Sequence, residues 1–286
     1  TLLMYTKSIT SLLLILFCSF SYASVPDNAP FKKVFIVIFE NVEAEKVLAQ
    51  PTFGALAKQG TYMDNFHAIT HPSQPNYIAL TSGSTQGVKG DAPVGLDSRN
   101  IVDLLEAKGI SWKVYAEDYP GNCDPSQAIG KYARNHNPFM SYNNIRNNPQ
   151  RCALIVNADQ LAQDQQADNL PDFSFYIPNI DNNGHNTGIV FADNWLQTTM
   201  LPRLKDPKFM QDMLVVVTFD EGDIKHPTRQ NHIYTLFYGD KIKTQTVETH
   251  YNLYSLLRTI EDSWELGTLG LNDYSNPPIQ EILEKP

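Results

Sequence analysis

The sequence predicts an α/β fold: a mostly parallel central sheet with helices on both faces. Three observations predict it. Strand-like and helix-like segments alternate six times along the chain. Two strand segments, 33–39 and 213–219, are near-continuous β-branched and aromatic runs, the pattern of strands buried on both faces. Acids, a histidine or a hydroxyl follow directly on four strand ends, and the carboxyl edge of an open α/β sheet is where such folds place ligands.

The elements follow in order. Segment 33–39, Lys-Val-Phe-Ile-Val-Ile-Phe, is the first strand and ends in Glu40-Asn41. Residues 52–60 form a short helix between a Thr cap and a Gly stop. A strand over 62–69 runs into Thr70-His71-Pro72-Ser73-Gln74-Pro75-Asn76-Tyr77, and a helix over 76–82 runs out of it to Gly83, a left-handed cap. Asp97 or Ser98 caps a helix over 101–108, and 111–116 is a strand. Residues 117–152, rich in Asn, Pro, Tyr and Gly, break the rhythm as an insertion over one rim. Asn157 caps a helix over 158–166. A strand over 173–177, a loop over 178–188, a helix over 192–204, strands over 213–219 and 232–238, and a helix over 251–265 complete the chain.

With 286 residues, 42% of them hydrophobic, the chain can bury one large core. Residues 1–23 read as a secretory signal: Lys7, an apolar run over 9–20 too short to span a bilayer comfortably, and Ser21-Tyr22-Ala23 before a cut at Ser24. Residues 24–286 then form a single domain carrying the insertion. The implied location is secreted or periplasmic, with no stable membrane span. The formal charge of −9 and the lack of a basic run exclude nucleic acid as a natural partner. Cys18 leaves with the signal, so Cys123 and Cys152 remain, and in an exported protein they most simply pair.

Ser73 sits in a strand-to-helix turn between two prolines. It reads either as a helix cap or as a nucleophile at an anion-attracting helix start. The acids decide. Glu40, Asn41, Asp220 and Glu221, with Ser73, form an all-oxygen set suited to Mg²⁺, Ca²⁺ or Mn²⁺. Asp181, His185 and His232 form a mixed set suited to Zn²⁺, Mn²⁺ or iron. Carboxylates gathered at one rim repel unless a cation sits among them, and Lys225 and Arg229 are the only basic side chains in those loops. One or two divalent ions beside Ser73 would lower its hydroxyl pKa and bind phosphate oxygens. His71 either contacts phosphate or orders its loop. Asn76 either binds a phosphate oxygen or begins the helix. His250 is an alternative to His232. His67 reads as structural, and His136 as structural or as part of a substrate rim.

The residues Phe39-Glu40-Asn41, His71-Pro72-Ser73-Gln74-Pro75-Asn76-Tyr77, Asp181-x-x-Gly184-His185 and Thr218-Phe219-Asp220-Glu221-Gly222 resemble those of a known family. So does Thr249-His250-Tyr251 leading into residues 256–262. The chain looks like the acid-phosphatase and phospholipase C-type phosphoesterases of the alkaline phosphatase superfamily. That resemblance implies an alkaline phosphatase-like three-layer sandwich. It also implies a Ser73 nucleophile with a phosphoserine intermediate, and metal contacts at Glu40, Asn41, Ser73, Asp220 and Glu221. By similarity to the wider superfamily, Asp181, His185 and His232 face a second metal. Glu40-Asn41 and Asp220-Glu221 depart from the wider superfamily's Asp and Asp-His, which leaves one metal or two, with His185 or His232 free to protonate the leaving group. The expected function is an exported, metal-dependent acid phosphatase acting on a small-molecule phosphate ester. A phospholipase C-type diesterase acting at a phospholipid headgroup is the first alternative. A non-catalytic phosphate- or glycan-binding exported protein is the alternative of another class.

Overall fold

The most apolar segments of the chain lie at the centre of one sheet. The computed structural model describes residues 24–126, 128–223 and 231–283. Its strands are β1 (Lys33–Phe39), β2 (Thr61–Met63), β3 (Phe66–His67), β4 (Trp112–Ala116), β5 (Ala128–Ile129), β6 (Tyr132–Ala133), β7 (Ile155–Asn157), β8 (Phe173–Ile177), β9 (Met213–Phe219), β10 (Thr235–Tyr238), β11 (Gln245–Val247) and β12 (Tyr251–Asn252). Eight of them, among the described residues, form a sheet in the order β11-β2-β10-β9-β1-β8-β4-β7. All neighbours run parallel except β10, which is antiparallel to both β2 and β9. The pairs β3–β12 and β5–β6 are separate two-stranded ribbons.

β1, β8 and β9 sit side by side, and every residue of β8 and β9 is buried. In β1 only Lys33 is partly exposed. Strands covered on both faces need no polar alternation, which is why these three were plain in the sequence. The helix Ser73–Ser82 is buried along its whole length. Such a helix must be packed on all sides. The helix Leu253–Ser263 covers one side, and residues 134–141 cover another.

The sequence reading needs correction at several places. The strand expected over 62–69 is two strands, β2 and β3, that join different sheets. Asn157 ends the edge strand β7, and its side chain accepts from the Asp159 N–H instead of capping a helix at 158. β11 and the helix Ala44–Leu48 are too short to show a period in the sequence. Asn100, not Asp97 or Ser98, caps the helix Ile101–Ala107, in a reciprocal box with Asp103. The insertion is no mere rim. Arg134, His136, Phe139 and Met140 are buried within it, and Arg134 Nη2 donates to Gln74 Oε1 at 2.6 Å. Gly83 does close its helix in the left-handed region, at φ 73°.

The segment ahead of Ser24 and residues Lys225, His226 and Arg229 lie outside the described residues. No described helix is long and apolar enough to cross a membrane.

Cys123 and Cys152 form the expected disulfide, with Cα atoms 5.9 Å apart and a sequence separation of 29. A loop of that length loses about 3.5 kcal/mol of unfolded-state freedom when cross-linked. Cys152→Ser is expected to lower unfolding free energy by about that amount, read by denaturant titration of oxidised wild type against variant. An unchanged midpoint would show that packing of residues 134–141 alone fixes the insertion.

Candidate active site

Strand register brings the first two acids together. β1 and β9 pair in parallel from Lys33↔Met213 to Phe39↔Phe219, so the next residues, Glu40 and Asp220, leave adjacent strands at the same level. The Asp220 N–H donates to Phe39 O at 3.0 Å, and the Asn41 N–H to Asp220 Oδ1 at 3.3 Å. Asn41 turns the chain at φ 52°, a left-handed conformation that asparagine tolerates better than most residues. Beneath the acids lies an aromatic floor. Phe39 stacks on Phe219 at 5.4 Å and meets Phe53 and Trp195 edge-on at 5.1 and 5.6 Å. Both carboxyls are buried above it.

Ser73 is the first residue of its helix, after Pro72 at the cap position, and its hydroxyl is directed at side chains instead of the helix N–H groups. Its hydroxyl points at acids, 3.2 Å from Glu40 Oε2 and 3.2 Å from Glu221 Oε1. A hydroxyl carries one proton, so it donates to one acid and must receive a proton from the other. The helix start is served instead by Asp91, whose Oδ1 accepts from the Gln74 N–H at 2.9 Å. The helix dipole therefore already faces a carboxylate beside Ser73.

Burial sets the protonation of this cluster. Burial first, and the charge of Glu221 as well, push the Glu40 carboxyl up from 4.5 to about 8 against hydrogen bonds that pull it down. Burial and the charge of Glu40 hold Asp220 well above the usual carboxylate range. Burial raises Glu221 too, opposed by its contact with His71 Nδ1. A hydrogen bond between the two carboxyls, with the proton on Asp220, is the strongest of the contacts that pull Glu40 down, and it raises Asp220 further. Glu40 Oε1 accepts from His136 Nε2 at 2.8 Å and from the Tyr77 hydroxyl at 3.3 Å, and Oε2 accepts from Asn41 Nδ2 at 2.9 Å. His136 stacks on Tyr77, and its Nδ1 faces Asn183 Nδ2 at 3.3 Å, which assigns the ring proton to Nε2. Burial lowers the His136 pKa against the opposing charges of Asp220, Asp91 and Glu221, which favours the neutral ring.

A cavity of about 420 Å³ opens over Ser73, lined by Asn41, His71, Ser73, Asp91, His185, Glu221 and Asp223 among others. Seven of the expected residues thus belong to one cluster: Glu40, Asn41, His71, Ser73, His185, Asp220 and Glu221. Three do not. Asp181 is exposed to Lys131, whose Nζ lies 2.8 Å from Oδ2 and holds the carboxyl below its usual range. Gly184, at φ 93°, folds the loop so that His185 turns to the cavity and Asp181 away from it. His232 is buried against His67, ring centroids 5.5 Å apart, with Nδ1 3.5 Å from Glu45, and it does not line the cavity. Asn76 is buried and spends its amide on the turn: Oδ1 accepts from the Ile69 and Thr70 N–H groups, and Nδ2 donates to Thr70 O and Pro72 O. It orders the turn that presents Ser73 and has no atom to offer a phosphate. His250 lies with His67, not with Ser73.

Four contributors have a role here that the sequence reading did not assign them. His136 and Tyr77 clamp Glu40, and Asp91 sits at the helix start. Glu117 accepts from the Asn179 N–H, Asn182 Nδ2, the Tyr176 hydroxyl and Trp195 Nε1, and so fixes the loop that carries Asn183 and His185. The one legible signal was the run Arg134-Asn135-His136-Asn137 immediately ahead of apolar Phe139 and Met140.

The model of the phosphoesterase family matches residues 46–267, well over half of the sequence. The chain belongs to the phosphoesterase family. This phosphoesterase-family chain is 35% identical over 260 residues to a probable acid phosphatase of Kluyveromyces lactis, an overlap of 86% of this chain and 61% of that one. It is 33% identical over 257 residues to a phosphatidylinositol-3-phosphatase of Mycobacterium tuberculosis, covering 88% of this chain and 83% of the relative. It therefore spans about three-fifths of the length of the fungal acid phosphatases it matches. Among solved structures, a protein of the alkaline phosphatase superfamily from Vibrio parahaemolyticus superposes with a TM-score of 0.61 at 14% identity, over 91% of this chain and 73% of that one. The fold is that of the alkaline phosphatase superfamily.

Among the described residues no three His, Cys, Asp or Glu side chains stand as a ready metal cage. The acids are instead tied to Ser73, His71, His136 and Tyr77. The donor chemistry nonetheless fits a hard cation. Five oxygen-bearing side chains gather at one strand edge, and burial and mutual repulsion disfavour ionisation of the acids, a charge that a cation among them would offset.

Glu40 yields a test in chelator-treated protein. Its folded pKa is raised, so its proton stabilises the fold fully below about 4.5, and that stability is lost as pH rises through about 8. Wild type is expected to lose roughly 3–5 kcal/mol from this group across that window. Glu40→Gln, which keeps the shape without the charge, flattens the profile in thermal unfolding between pH 5 and 9. Equal slopes for the two proteins would mean that Glu40 is ionised at little cost.

Proposed function

We propose that the chain is an exported acid phosphatase that hydrolyses phosphomonoesters through a phosphoserine at Ser73. The observation that carries this reading is the Ser73 hydroxyl: it faces a cavity and lies 3.2 Å from both Glu40 and Glu221. Export rests on the signal-like residues 1–23 and on the Cys123–Cys152 pair. Glu40, Asn41, Ser73, Asp220 and Glu221 would hold a divalent cation. When bound, it supplies the positive charge that makes the serine acidic and offsets charge on the transferring phosphoryl group.

The chain's own groups then divide the work. Glu221, backed by His71, takes the Ser73 proton as Oγ bonds to phosphorus. The ester P–O bond breaks, and the leaving alkoxide takes a proton from His185 at the cavity wall. Water, giving its proton back to His185, then attacks phosphorus and frees phosphate, and Oγ regains the proton held by Glu221. His136 and Tyr77 hold Glu40 in place from behind, and Glu117 fixes the loop that aims His185.

One observation favours a phospholipid headgroup as the bearer of the phosphate. Val190 and Phe191 are 63% and 45% exposed and follow the His185 loop at the start of the helix Ile189–Trp195. Apolar side chains there suit a substrate with acyl chains, and the mycobacterial relative is named for a phosphoinositide.

The purified protein is expected to turn over a chromogenic phosphomonoester at acidic pH, to lose that activity to chelation and to regain it with Mg²⁺, Mn²⁺, Ca²⁺ or Zn²⁺. Ser73→Ala should lower kcat by at least about 10³-fold. Full activity after exhaustive chelation removes the cation, and activity retained by Ser73→Ala removes the nucleophile. Turnover of a phosphocholine diester in place of the monoester would favour the phospholipase C-type reading. Phosphate binding without turnover of either would favour a binding protein.

A further inference from the structure

One cation lies deep in the structure with no carboxylate among its hydrogen-bond partners. Arg134, in the insertion, has no solvent exposure. Its Nη2 donates to Gln74 Oε1 at 2.6 Å and to Asp91 O at 3.2 Å, and its Nη1 to Ser141 Oγ at 3.3 Å. All three acceptors are neutral, and Nε is buried with no partner. Taking a guanidinium out of water is costly, and apolar side chains in place of buried charged networks are often neutral or stabilising. Stability is therefore a weak reason for an arginine here. What the arginine holds is a better one.

It holds the residue next to the serine. Gln74 follows Ser73 directly and is itself fully buried. Both polar atoms of its side chain are bonded: Oε1 to Arg134, and Nε2 to Gly90 O at 2.7 Å and Ala92 O at 2.9 Å. Its backbone N–H donates to Asp91 Oδ1. Arg134, Gln74 and residues 90–92 thus form one hydrogen-bonded cluster at the start of the helix Ser73–Ser82. Asp91, at its centre, lines the Ser73 cavity. The planar guanidinium fork grips at fixed angles, which a flexible ammonium does not reproduce. The same short stretch carries His136 to Glu40, and the Cys123–Cys152 bridge closes the loop that holds both.

We propose that Arg134 is a positioning residue for the nucleophile: through Gln74 and residues 90–92 it fixes the direction in which the helix start presents the Ser73 hydroxyl. The proposal rests on the phosphatase reading and adds to it a residue that touches neither substrate nor reacting atoms. Loss of the cluster relaxes the line of attack on phosphorus, and a misplacement of about 1 Å costs up to about 10²-fold in rate.

The test is a double-mutant cycle on the cation-loaded enzyme with p-nitrophenyl phosphate, for wild type, Arg134→Met, Gln74→Met and the pair. Thermal unfolding shows which variants are folded at the assay temperature. Arg134→Met should lower kcat by about tenfold while KM stays within about twofold. Gln74→Met should lower kcat at least as much, and adding Arg134→Met to it should cost less than about twofold more. Unchanged kcat, a rise in KM alone, or losses that multiply in the pair overturn the proposal. If Arg134→Met does not fold, Arg134→Lys decides: a severalfold fall in kcat at unchanged KM supports the proposal, and wild-type kcat overturns it. If wild type turns over nothing, the phosphatase reading fails by itself, and a crystal structure of Arg134→Lys decides the positioning. A Ser73 hydroxyl displaced from Glu40 and Glu221 supports it, and an unmoved one overturns it.

Discussion

Everything at this site depends on two buried carboxyls that the sheet forces together. The parallel register of β1 and β9 ends at Phe39↔Phe219, so Glu40 and Asp220 emerge side by side over an aromatic floor. Neither backbone can move away without breaking the ladder between two almost wholly buried strands. Two anions in that position are tolerated only with compensation from protons, hydrogen bonds or a cation. The surroundings answer that need. His136, Tyr77, Asn41 and Ser73 all direct polar atoms at Glu40, and the Asn41 and Glu221 N–H groups both donate to Asp220 Oδ1.

The remainder of the fold can be seen as the support for that pair. The helix Ser73–Ser82 is buried on all sides, which fixes its first residue against the acids. Residues 134–141 hold the helix from one side and deliver His136 from the same stretch. Glu117, at the end of β4, ties down the loop after β8, whose Asn183 carbonyl accepts from the Glu40 N–H and whose side chain meets His136. The helix and residues 134–141 thus meet at the Glu40 carboxylate, and the loop after β8 at its backbone N–H. A packing change in any of them is transmitted to the geometry of Ser73.

The sequence made the centre of this structure legible and its edges less so. Strands β1, β8 and β9 declare themselves because burial on both faces demands an unbroken apolar run, and the acids directly after β1 and β9 stand out against such runs. Ser73 was legible as a choice between two roles, and the choice turned on acids distant in sequence. Asp181 was misplaced because a spacing of four across Gly184 fixes how tightly the loop turns but not which residue faces inward. His232 was misplaced although its strand was foreseen. β10 runs antiparallel, so its leading residues do reach the carboxyl edge, but there His232 packs toward His67 and Glu45. His136 carried almost no signal, because its role arises from tertiary packing of an aperiodic segment.

Protons and a divalent cation would compete for the same oxygens, and this bears on how such a site works in acid. Glu40 pushed up to about 8, and Asp220 well above its ordinary range, would be protonated at mildly acidic pH when no cation is near. Binding a cation then means releasing those protons, so its affinity must weaken as pH falls. An acid phosphatase built on these residues needs a counterweight. The geometry offers one at two of the acids: the His71 contact opposes the rise at Glu221, and the hydrogen bonds from Asp220, then Ser73 and Tyr77, oppose it at Glu40. Those contacts favour the ionised acids that a cation requires. The same side chains that orient the nucleophile would therefore also extend the pH range over which the cation can stay beside it.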